Sequence, residues 1–269
     1  MSKDIFSLSN KVVILTGGLG LIGLHYIQEL IGRGAVVHIL DLISSQQAQK
    51  ILKSKIQKST LSKLYYHEGD ISNRQSLIHI RKEVLAQSGK IDVLINNAAF
   101  NPKVEGSTKP QLGANTFENL NREDWDREIS VNLTGAMLCC QVFGSKMKQG
   151  SSIILISSVY GIVAPDQRIY PKGFIKPVTY SVSKGGVIAL TQYLAAYWGK
   201  KGIRINSIAF GGVENSQNKD FIKNYAARTP MGRMAKPHEY NGIIVYLASD
   251  ASSYSTGATY TVDGGWTTW

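Results

Sequence analysis

A tyrosine and a lysine stand four residues apart in the segment Tyr180-Ser181-Val182-Ser183-Lys184. On a helix, residues i and i+4 share one face, so the phenol and the amine would meet. An ammonium beside a phenol favours the phenolate and lowers a phenol pKa that is ordinarily about 10. Such a tyrosine could exchange a proton with an alcohol or a carbonyl near neutral pH. The same spacing also occurs on ordinary helix faces, so the surroundings must decide.

Two further polar residues could assist this pair. Ser158 ends an apolar predicted strand and could donate a hydrogen bond to the same substrate oxygen, with Ser157 as the alternate. Asn132 lies inside a long predicted helix and is a candidate to hold a water molecule behind the lysine. The other interpretation of Asn132 is a helix-interior side chain that bonds neighbouring backbone.

A glycine-rich turn precedes these residues, with the form G-x-G-x-x-G in Gly18-Leu19-Gly20-Leu21-Ile22-Gly23. It follows a predicted strand and opens a predicted helix, which is the context that a dinucleotide-binding turn requires. Glycines let backbone N–H groups approach a pyrophosphate, and the start of the helix adds partial positive charge.

An acidic residue, Asp41, ends the second predicted strand. A carboxylate there accepts hydrogen bonds from both hydroxyls of an adenosine ribose and repels a 2′-phosphate. No arginine follows directly, since the next residues are Leu42, Ile43 and Ser44. The sequence therefore predicts NAD(H) rather than NADP(H) as the cofactor.

The elements that must position these residues alternate along the chain. Predicted strands lie near residues 12–15, 35–40, 64–67, 91–95, 152–156, 203–208 and 258–262, and predicted helices near 21–33, 45–58, 73–87, 122–147, 178–198 and 237–248. Asn73 is a candidate cap for the third helix. The alternation predicts one α/β domain over residues 1–269, with a doubly wound, seven-stranded parallel sheet between two helix layers. Ligands bind such sheets beyond the carboxyl ends of the strands.

The composition of the 269-residue chain narrows the class of protein. With 43% hydrophobic and 18% charged residues, it is an ordinary globular sequence. It has no apolar run near the roughly 18 residues of a membrane span and no secretory leader, which predicts a cytoplasmic protein. The adjacent Cys139 and Cys140 lack the spacing of a metal site or a useful disulfide, so no metal is expected.

The net charge of +11 comes from 30 basic and 19 acidic residues. The densest basic stretch, from Lys50 to Lys58, has no interleaved aromatic residues. We interpret it as a solvated helix face and expect no nucleic-acid partner and no membrane partner.

Five motifs together carry a resemblance to a known family: Gly17 to Gly23, Asn96-Asn97-Ala98-Ala99, Ser157-Ser158, Tyr180-x-x-x-Lys184 and Val262-Asp263-Gly264-Gly265. In this order, and over nearly the whole chain, they resemble the single-domain type of the short-chain dehydrogenase/reductase family. The resemblance implies a Rossmann-type fold with Tyr180 as general acid/base and Ser158 polarising the substrate carbonyl. It also implies that Lys184 holds the nicotinamide ribose and that Asn132 completes a proton relay.

The resemblance further implies a cofactor-binding set: Gly17, Gly20, Leu21, Ile22, Gly23, Asp41, Asp70, Ile71, Asn97, Ala98, Tyr180, Lys184, Gly211 and Val213. Two positions depart from the family pattern. Leu21 stands where glycine is usual, and Phe210-Gly211 replaces Pro-Gly. These departures leave room for an alternative to an enzyme, a catalytically silent NAD-binding sensor or scaffold.

Two long loops, residues 100–119 and 160–179, emerge beside the predicted site. Their basic residues are Lys103, Lys109, Arg168, Lys172 and Lys176. They predict either a basic rim for a sugar phosphate or nucleotide sugar, or plain solvated loops. The stretch from Ser157 to Pro165 is similar to bacterial oxidoreductases of flagellin and surface-sugar modification, which suggests a sugar-derived substrate.

The predicted function is hydride transfer between NAD(H) and a secondary alcohol or ketone. The resemblance implies a mobile substrate lid over residues 211–230, with Gly211 and Gly212 as hinges. It also implies a homo-oligomer, a tetramer or a dimer, that assembles through the helices at 122–147 and 178–198 and through the last strand.

Overall fold

Seven parallel strands form one sheet in the computed structural model, which describes residues 4–100 and 116–269. The strands are β1 (Val12–Thr16), β2 (Val36–Asp41), β3 (Leu64–Glu68), β4 (Val93–Asn96), β5 (Ser152–Ser158), β6 (Arg204–Phe210) and β7 (Thr259–Val262). Their order across the sheet is β3-β2-β1-β4-β5-β6-β7. The predicted doubly wound α/β fold is confirmed.

Eight helices flank the sheet in the described part of the chain: α1 (Leu21–Gly32), α2 (Ser45–Lys55), α3 (Arg74–Ser88), α4 (Arg122–Ile129), α5 (Ala136–Gly144), α6 (Val178–Trp198), α7 (Lys219–Arg228) and α8 (Asn241–Ala248). The helices α1, α2 and α8 contribute to the core on one face, and α3, α5 and α6 to the core on the other. Every residue of β1 is buried, as expected for a strand covered on both faces.

Side-chain caps fix where two of the helices begin. The Asn73 Oδ1 accepts hydrogen bonds from the backbone N–H groups of Gln75 and Ser76, which confirms the predicted cap of α3. Ser44 caps α2 in the same way through Gln47. Gly89, with a φ of 71°, ends α3 in the left-handed conformation.

The prediction of one regular helix over residues 122–147 is wrong in detail. The helix is interrupted by a π-helical turn at Ser130–Gly135, which separates α4 from α5, and α5 ends at Gly144. Asn132 lies in that turn, and its side chain is hydrogen-bonded to the backbone of Phe100 in the loop after β4. Hydrophobic periodicity does not reveal such a turn, because the apolar face continues through it.

The strand order creates a crevice at one place along the sheet. The chain runs outward from β1 to β3 and then returns to add β4 on the other side of β1. The carboxyl ends of β1 and β4 therefore flank the switch point, where ligands of doubly wound sheets bind.

Within the described ranges, none of the helices has the length and apolar character needed to cross a bilayer.

Candidate active site

The turn between β1 and α1 can be built only from glycine at its ends. Gly17 has a φ of +62°, and a Cβ on it would lie 2.7 Å from the Cα of Ala98. A Cβ on Gly23 would lie 2.6 Å from the carbonyl oxygen of Gly17. The backbone is thus packed so tightly that a side chain at either position would clash with neighbouring backbone atoms.

The first turn of α1 is open to an anion. The helix begins after Gly20 without a side-chain cap, so among the described residues no side chain satisfies the N–H groups that open it, at Leu21, Ile22 and Gly23. This is the arrangement that binds a pyrophosphate, and the residues present fit a dinucleotide. Leu21 is exposed at this position, so the turn forms without the glycine that is usual there.

A threonine that the sequence analysis missed holds the end of β4 against this turn. The Thr16 Oγ1 accepts hydrogen bonds from the backbone N–H groups of Asn97 and Ala98, both at 3.1 Å. The Asn97 side-chain amide donates to the carbonyl oxygens of Thr16 and Gly17 at 3.2 and 3.0 Å. The only available signal was the place of Thr16, as the last residue of β1.

Acidic residues occupy the ends of the neighbouring strands β2 and β3. Asp41 is in register with Glu68, which the sequence analysis did not single out. The Asp41 carboxylate accepts hydrogen bonds from the backbone N–H groups of Leu19, at 3.1 Å, and Leu42, at 2.8 Å. This edge of the site is therefore acidic and is tied directly to the glycine turn.

The residues expected to flank an adenine follow β3. The Asp70 Oδ1 accepts hydrogen bonds from the backbone N–H and the hydroxyl of Ser72, at 2.8 and 2.7 Å. Ile71 is buried and packs against Gly135. The carboxylate of Asp70 thus shapes its own loop, and Ile71 joins that loop to the π-helical turn.

The two serines at the end of β5 have separate partners. The Ser158 hydroxyl accepts a hydrogen bond from the backbone N–H of Tyr160 at 3.2 Å, and hydrogen bonding with Ser158 lowers the pKa of the Tyr180 phenol. The Ser157 hydroxyl donates instead to the backbone carbonyl of Lys184, at 2.8 Å. Ser158 therefore meets the tyrosine, while Ser157 fixes α6 on the sheet.

Lys184 lies below the tyrosine and is almost wholly buried. Its Nζ donates a hydrogen bond of 2.8 Å to the carbonyl oxygen of Ile156 and lies 5.8 Å from the centroid of the Tyr180 ring. The structure thus brings Ser158, Tyr180 and Lys184 together at the carboxyl end of β5, next to β4 in the sheet.

The structure does not show the expected lowering of the Tyr180 pKa. Burial raises the pKa of Tyr180; the hydrogen bond with Ser158 opposes this shift, and the charge of Glu128 adds to it. Burial also lowers the pKa of Lys184 to about 8. The charge of Glu128 opposes this lowering at Lys184.

Asn132 bonds backbone, but not that of its helical neighbours. Its side-chain oxygen accepts from the N–H of Phe100, at 2.7 Å, and its amide donates to the carbonyl of Phe100, at 2.8 Å. The same amide lies 3.5 Å from the hydroxyl of Ser183 on α6. Asn132 therefore joins the π-helical turn to α6 and to the loop after β4, and its expected role in a proton relay stays a prediction.

The segment after β6 is held by backbone bonds. The N–H of Gly211 donates to Val262 at 3.0 Å, and Val213 forms a bridge with Ala235. The following helix, α7, buries Phe221 and Tyr225 in an aromatic cluster, which we define as Val159, Tyr160, Ile169, Phe221, Tyr225, Met234 and Trp266. In this structure the predicted lid is packed against the site.

The expected basic rim is only partly in place. Arg168 is paired with Asp166 at 2.8 Å, and Arg228 binds the same carboxylate. Lys176 is buried, with its Nζ 3.8 Å from the centroid of the Tyr180 ring. Lys172 is exposed, and Lys103 and Lys109 lie outside the described residues.

One buried carboxyl group near this site had no signal in the sequence. Glu128 of α4 is 3% exposed, and its Oε1 has no hydrogen-bond partner among the described residues. Its charge acts on Lys176, Lys184 and Tyr180. About 50 residues separate it from them along the chain, so only the packing of α4 against α6 brings it there.

Comparison with known proteins gives matches over nearly the full chain. The family model described as enoyl-(acyl carrier protein) reductase matches residues 21–267. The NADP-dependent mannitol dehydrogenase of Hypocrea jecorina is 32% identical over 98% of this chain and 95% of its own length. The NADH-dependent L-xylulose reductase of Ambrosiozyma monospora is 28% identical over 98% of this chain and 97% of its own length.

A solved structure is similar over the same extent. The short-chain dehydrogenase of Leptospira borgpetersenii with bound NAD+ has a TM-score of 0.83 and 30% identity, and the alignment covers 99% of this chain and 97% of that one. The seven-stranded parallel sheet agrees with the fold predicted from the sequence, and the structure brings Ser158, Tyr180 and Lys184 together. The chain belongs to the short-chain dehydrogenase/reductase family, a family of oxidoreductases.

Proposed function

We propose that this chain is an NAD(H)-dependent oxidoreductase that interconverts a secondary alcohol and a ketone in a polyol or sugar-derived substrate. The observation that carries the proposal is the meeting of Ser158, Tyr180 and Lys184 beside a turn that only glycine can form. Binding a dinucleotide alone does not need those three side chains, so the alternative of a silent sensor gains no support.

The proposed roles follow from the contacts of each side chain. In the oxidation direction, the substrate hydroxyl gives its proton to the Tyr180 phenolate. Ser158, already bonded to the phenol, orients the substrate oxygen through its hydroxyl. A bound nicotinamide would accept the hydride from the substrate carbon that carries the hydroxyl. Lys184, fixed by its bond to Ile156, would hold the nicotinamide ribose.

The preference for NAD(H) rests on charge at the end of β2. Asp41 and Glu68 are in register there, so a 2′-phosphate would meet two carboxylates. No lysine or arginine occurs between Gly34 and Gln49 that could offset them. One of the two relatives is named NADH-dependent and the other NADP-dependent, so the cofactor preference rests on the residues of this chain.

Isothermal titration calorimetry with NADH and NADPH tests the cofactor proposal. We expect NADH to bind more tightly than NADPH. Asp41→Asn should weaken NADH binding by about tenfold and narrow the preference, because a charged hydrogen-bond acceptor is lost. Tighter binding of NADPH by the unaltered protein would refute the assignment.

The proposed substrate class rests on the names of the relatives and on the contacts of the basic residues around the site. Both relatives named above act, by their names, on a polyol or a ketose. Because Arg168 is ion-paired and Lys176 is buried, a neutral polyol suits the described part of the site better than a phosphorylated sugar. The test is to assay a panel of C4 to C6 polyols, ketoses and sugar phosphates, with turnover measured by the change in NADH absorbance. Turnover confined to the phosphorylated sugars would contradict the proposed substrate class.

A further inference from the structure

Three ionisable side chains are buried beside Tyr180, and the proposed reaction uses only one of them. Glu128 of α4 is 3% exposed, Lys176 is 6% exposed, and Lys184 of α6 is 3% exposed. Burying charged groups costs free energy unless opposite charges compensate each other. The two residues without a role, Glu128 and Lys176, therefore call for an explanation.

Lys176 is held over the face of the tyrosine ring. Its Nζ is 3.8 Å from the Tyr180 ring centroid, closer than the Nζ of Lys184 at 5.8 Å. The side-chain amide of Gln167 clamps the backbone of Lys176, donating to its carbonyl at 3.2 Å and accepting from its N–H at 2.9 Å. Pro177 follows directly and restricts the backbone further. The position of this amine is thus built into the loop.

Glu128 is a buried carboxyl group whose charge acts on both amines. Its Oε1 is buried without a hydrogen-bond partner in residues 4–100 and 116–269, and no contact ion pair of Glu128 occurs within them. Burial raises the pKa of Glu128 to about 7, against the opposing effect of Lys176 and Lys184. In return, its charge opposes the burial that lowers the pKa of each lysine to about 8. The carboxylate and the two ammonium groups therefore stabilise one another electrostatically.

We propose that Glu128 is a positioning residue of the active site, whose carboxylate keeps Lys176 and Lys184 protonated beside the ring of Tyr180. Lys176 is then a second ammonium acting on the tyrosine that the proposed function assigns to proton transfer, and the inference rests on that function. Without the charge of Glu128, the pKa of both buried amines would fall further, and less positive charge would lie beside the phenol.

Other titratable groups around the ring do not provide this charge. Tyr160, Tyr170 and Tyr225 face Tyr180, and burial raises the pKa of each of these phenols, so they are neutral across the physiological range. Asp166 acts on Tyr160 and Tyr170 and is paired with arginine. Among residues 4–100 and 116–269, the charge near the Tyr180 ring at neutral pH therefore comes from Glu128 and the two lysines.

The first test is an NMR titration of the full chain labelled at lysine Cε, with Lys176→Met used to assign its resonance. We expect the two buried lysines to titrate below ordinary lysines, and both to fall by about one further pH unit in Glu128→Gln. Glu123→Gln is the matched control, since this exposed carboxylate lies on the same helix, and it should leave both titrations unchanged.

The second test is the pH dependence of kcat/KM with the most active polyol of the panel. Removing a negative charge lowers the pKa of every neighbour, so both limbs of the profile should move to lower pH in Glu128→Gln, by about one unit. Glu128→Asp should restore the profile. A purely structural role would lower the activity without moving the limbs.

The outcomes separate this inference from the proposed function. Unchanged lysine titrations in a folded Glu128→Gln protein overturn the inference, even if polyols are oxidised. Shifted titrations with no turnover on any substrate support the charge assignment and refute the proposed function. If Glu128→Gln does not fold, glutamate Cδ spectra of the unaltered chain and of Lys176→Met decide. A Glu128 titration that moves to higher pH when Lys176→Met removes one positive charge supports the inference, and a Glu128 titration that Lys176→Met leaves unchanged overturns it.

Discussion

The chemistry of Tyr180 depends on which side chains touch its ring and its hydroxyl. Ser158 bonds the hydroxyl, and two amines lie against the ring at 3.8 and 5.8 Å. A second phenol, Tyr160, packs edge-on against Tyr180 with 6.4 Å between ring centroids, but its hydroxyl is bonded to Tyr170. The two tyrosines are therefore close in space and differ in the partners of their oxygens.

This difference gives a matched pair of variants. Tyr180→Phe removes the proposed proton-transfer group and should lower kcat by a factor of about 100 or more. Its dissociation constant for NADH should change by less than about threefold, because the ring remains. Tyr160→Phe removes only a bond between two phenols and should keep most of the activity. Steady-state kinetics and a fluorescence titration of NADH measure both, and near-wild-type turnover of Tyr180→Phe would exclude its assigned role.

At the residue scale, spacing and strand ends predict some of the candidate site. The i, i+4 pair of Tyr180 and Lys184 and the strand end at Ser158 could be found in the sequence, and the structure brings them together. Thr16 and Glu128 could not be found. Threonine is common in strands, and the burial of Glu128 follows from helix packing that no local pattern encodes.

At the scale of elements, the turn that opens α1 is limited by backbone contacts. A Cβ on Gly23 would lie 2.6 Å from the Gly17 oxygen and 2.7 Å from the Cα of Gly18, neither of which is a flexible side chain. At Gly32, the other end of the same helix, a Cβ would have no neighbouring atom within 4 Å. One helix thus contains a glycine that the turn requires and a glycine that it does not.

We therefore expect opposite results from two alanine substitutions in α1. Gly23→Ala should destabilise the protein by about 1–3 kcal/mol and weaken NADH binding at least tenfold, because the turn must widen. Gly32→Ala should leave binding unchanged and be neutral or stabilising by up to about 1 kcal/mol, since alanine favours helix. Urea denaturation and calorimetric titration measure both effects. Equal binding by the two variants would contradict the tight-turn argument.

A chain of hydrogen bonds joins β2 and β3 to α3. His38 is bonded to His67 at 2.9 Å and to Ser88 at 2.8 Å, and His67 is bonded to Glu83 at 2.8 Å. Burial, and then the charge of His67, lowers the pKa of His38 to about 4. The folded protein therefore keeps His38 neutral at a pH where the unfolded chain, with an ordinary histidine pKa of about 6.5, is protonated.

The sign of the resulting pH dependence follows directly. Between pH 6.5 and 4 the unfolded state binds a proton at His38 that the folded state does not, so stability falls as the pH falls. We expect a loss of about 2–3 kcal/mol between pH 7.5 and 4.5 from this group. Urea denaturation at the two pH values should show a smaller loss in His38→Asn. His79→Asn, which removes an exposed partner of Glu83, should keep the full loss.

The elements show where sequence patterns stop being informative. The helix at 178–198 is observed as predicted, because its apolar face and the preceding Pro177 mark it clearly. The π-helical turn at 130–135 and the His38–His67 bond were not predicted. The π-helical turn contains Asn132, whose side chain is bonded to Phe100, and the His38–His67 bond arises from the pairing of β2 with β3; no local sequence pattern encodes either contact.

At the scale of the whole molecule, the outer face of α6 carries exposed apolar side chains. Tyr193 and Tyr197 are 66% and 61% exposed and stack with 6.1 Å between ring centroids. Val182 of α6 and Met137 of α5 are also exposed. On a helix, positions 182, 193 and 197 fall on one side, so these residues form a continuous patch. Such patches are typical of protein interfaces, which supports the proposed homo-oligomer.

This patch predicts the effect of charge on assembly. In size-exclusion chromatography with light scattering, we expect the unaltered chain to have a multiple of its 29.5 kDa mass, with a tetramer as the leading expectation. Tyr193→Glu with Tyr197→Glu should give a smaller species, because two buried carboxylates would face the partner. Gln46→Glu with Gln49→Glu adds the same charge on α2 and should not change the mass. A monomer for the unaltered chain would refute the assembly, and dissociation of both double variants would show that net charge, and not the α6 patch, controls it.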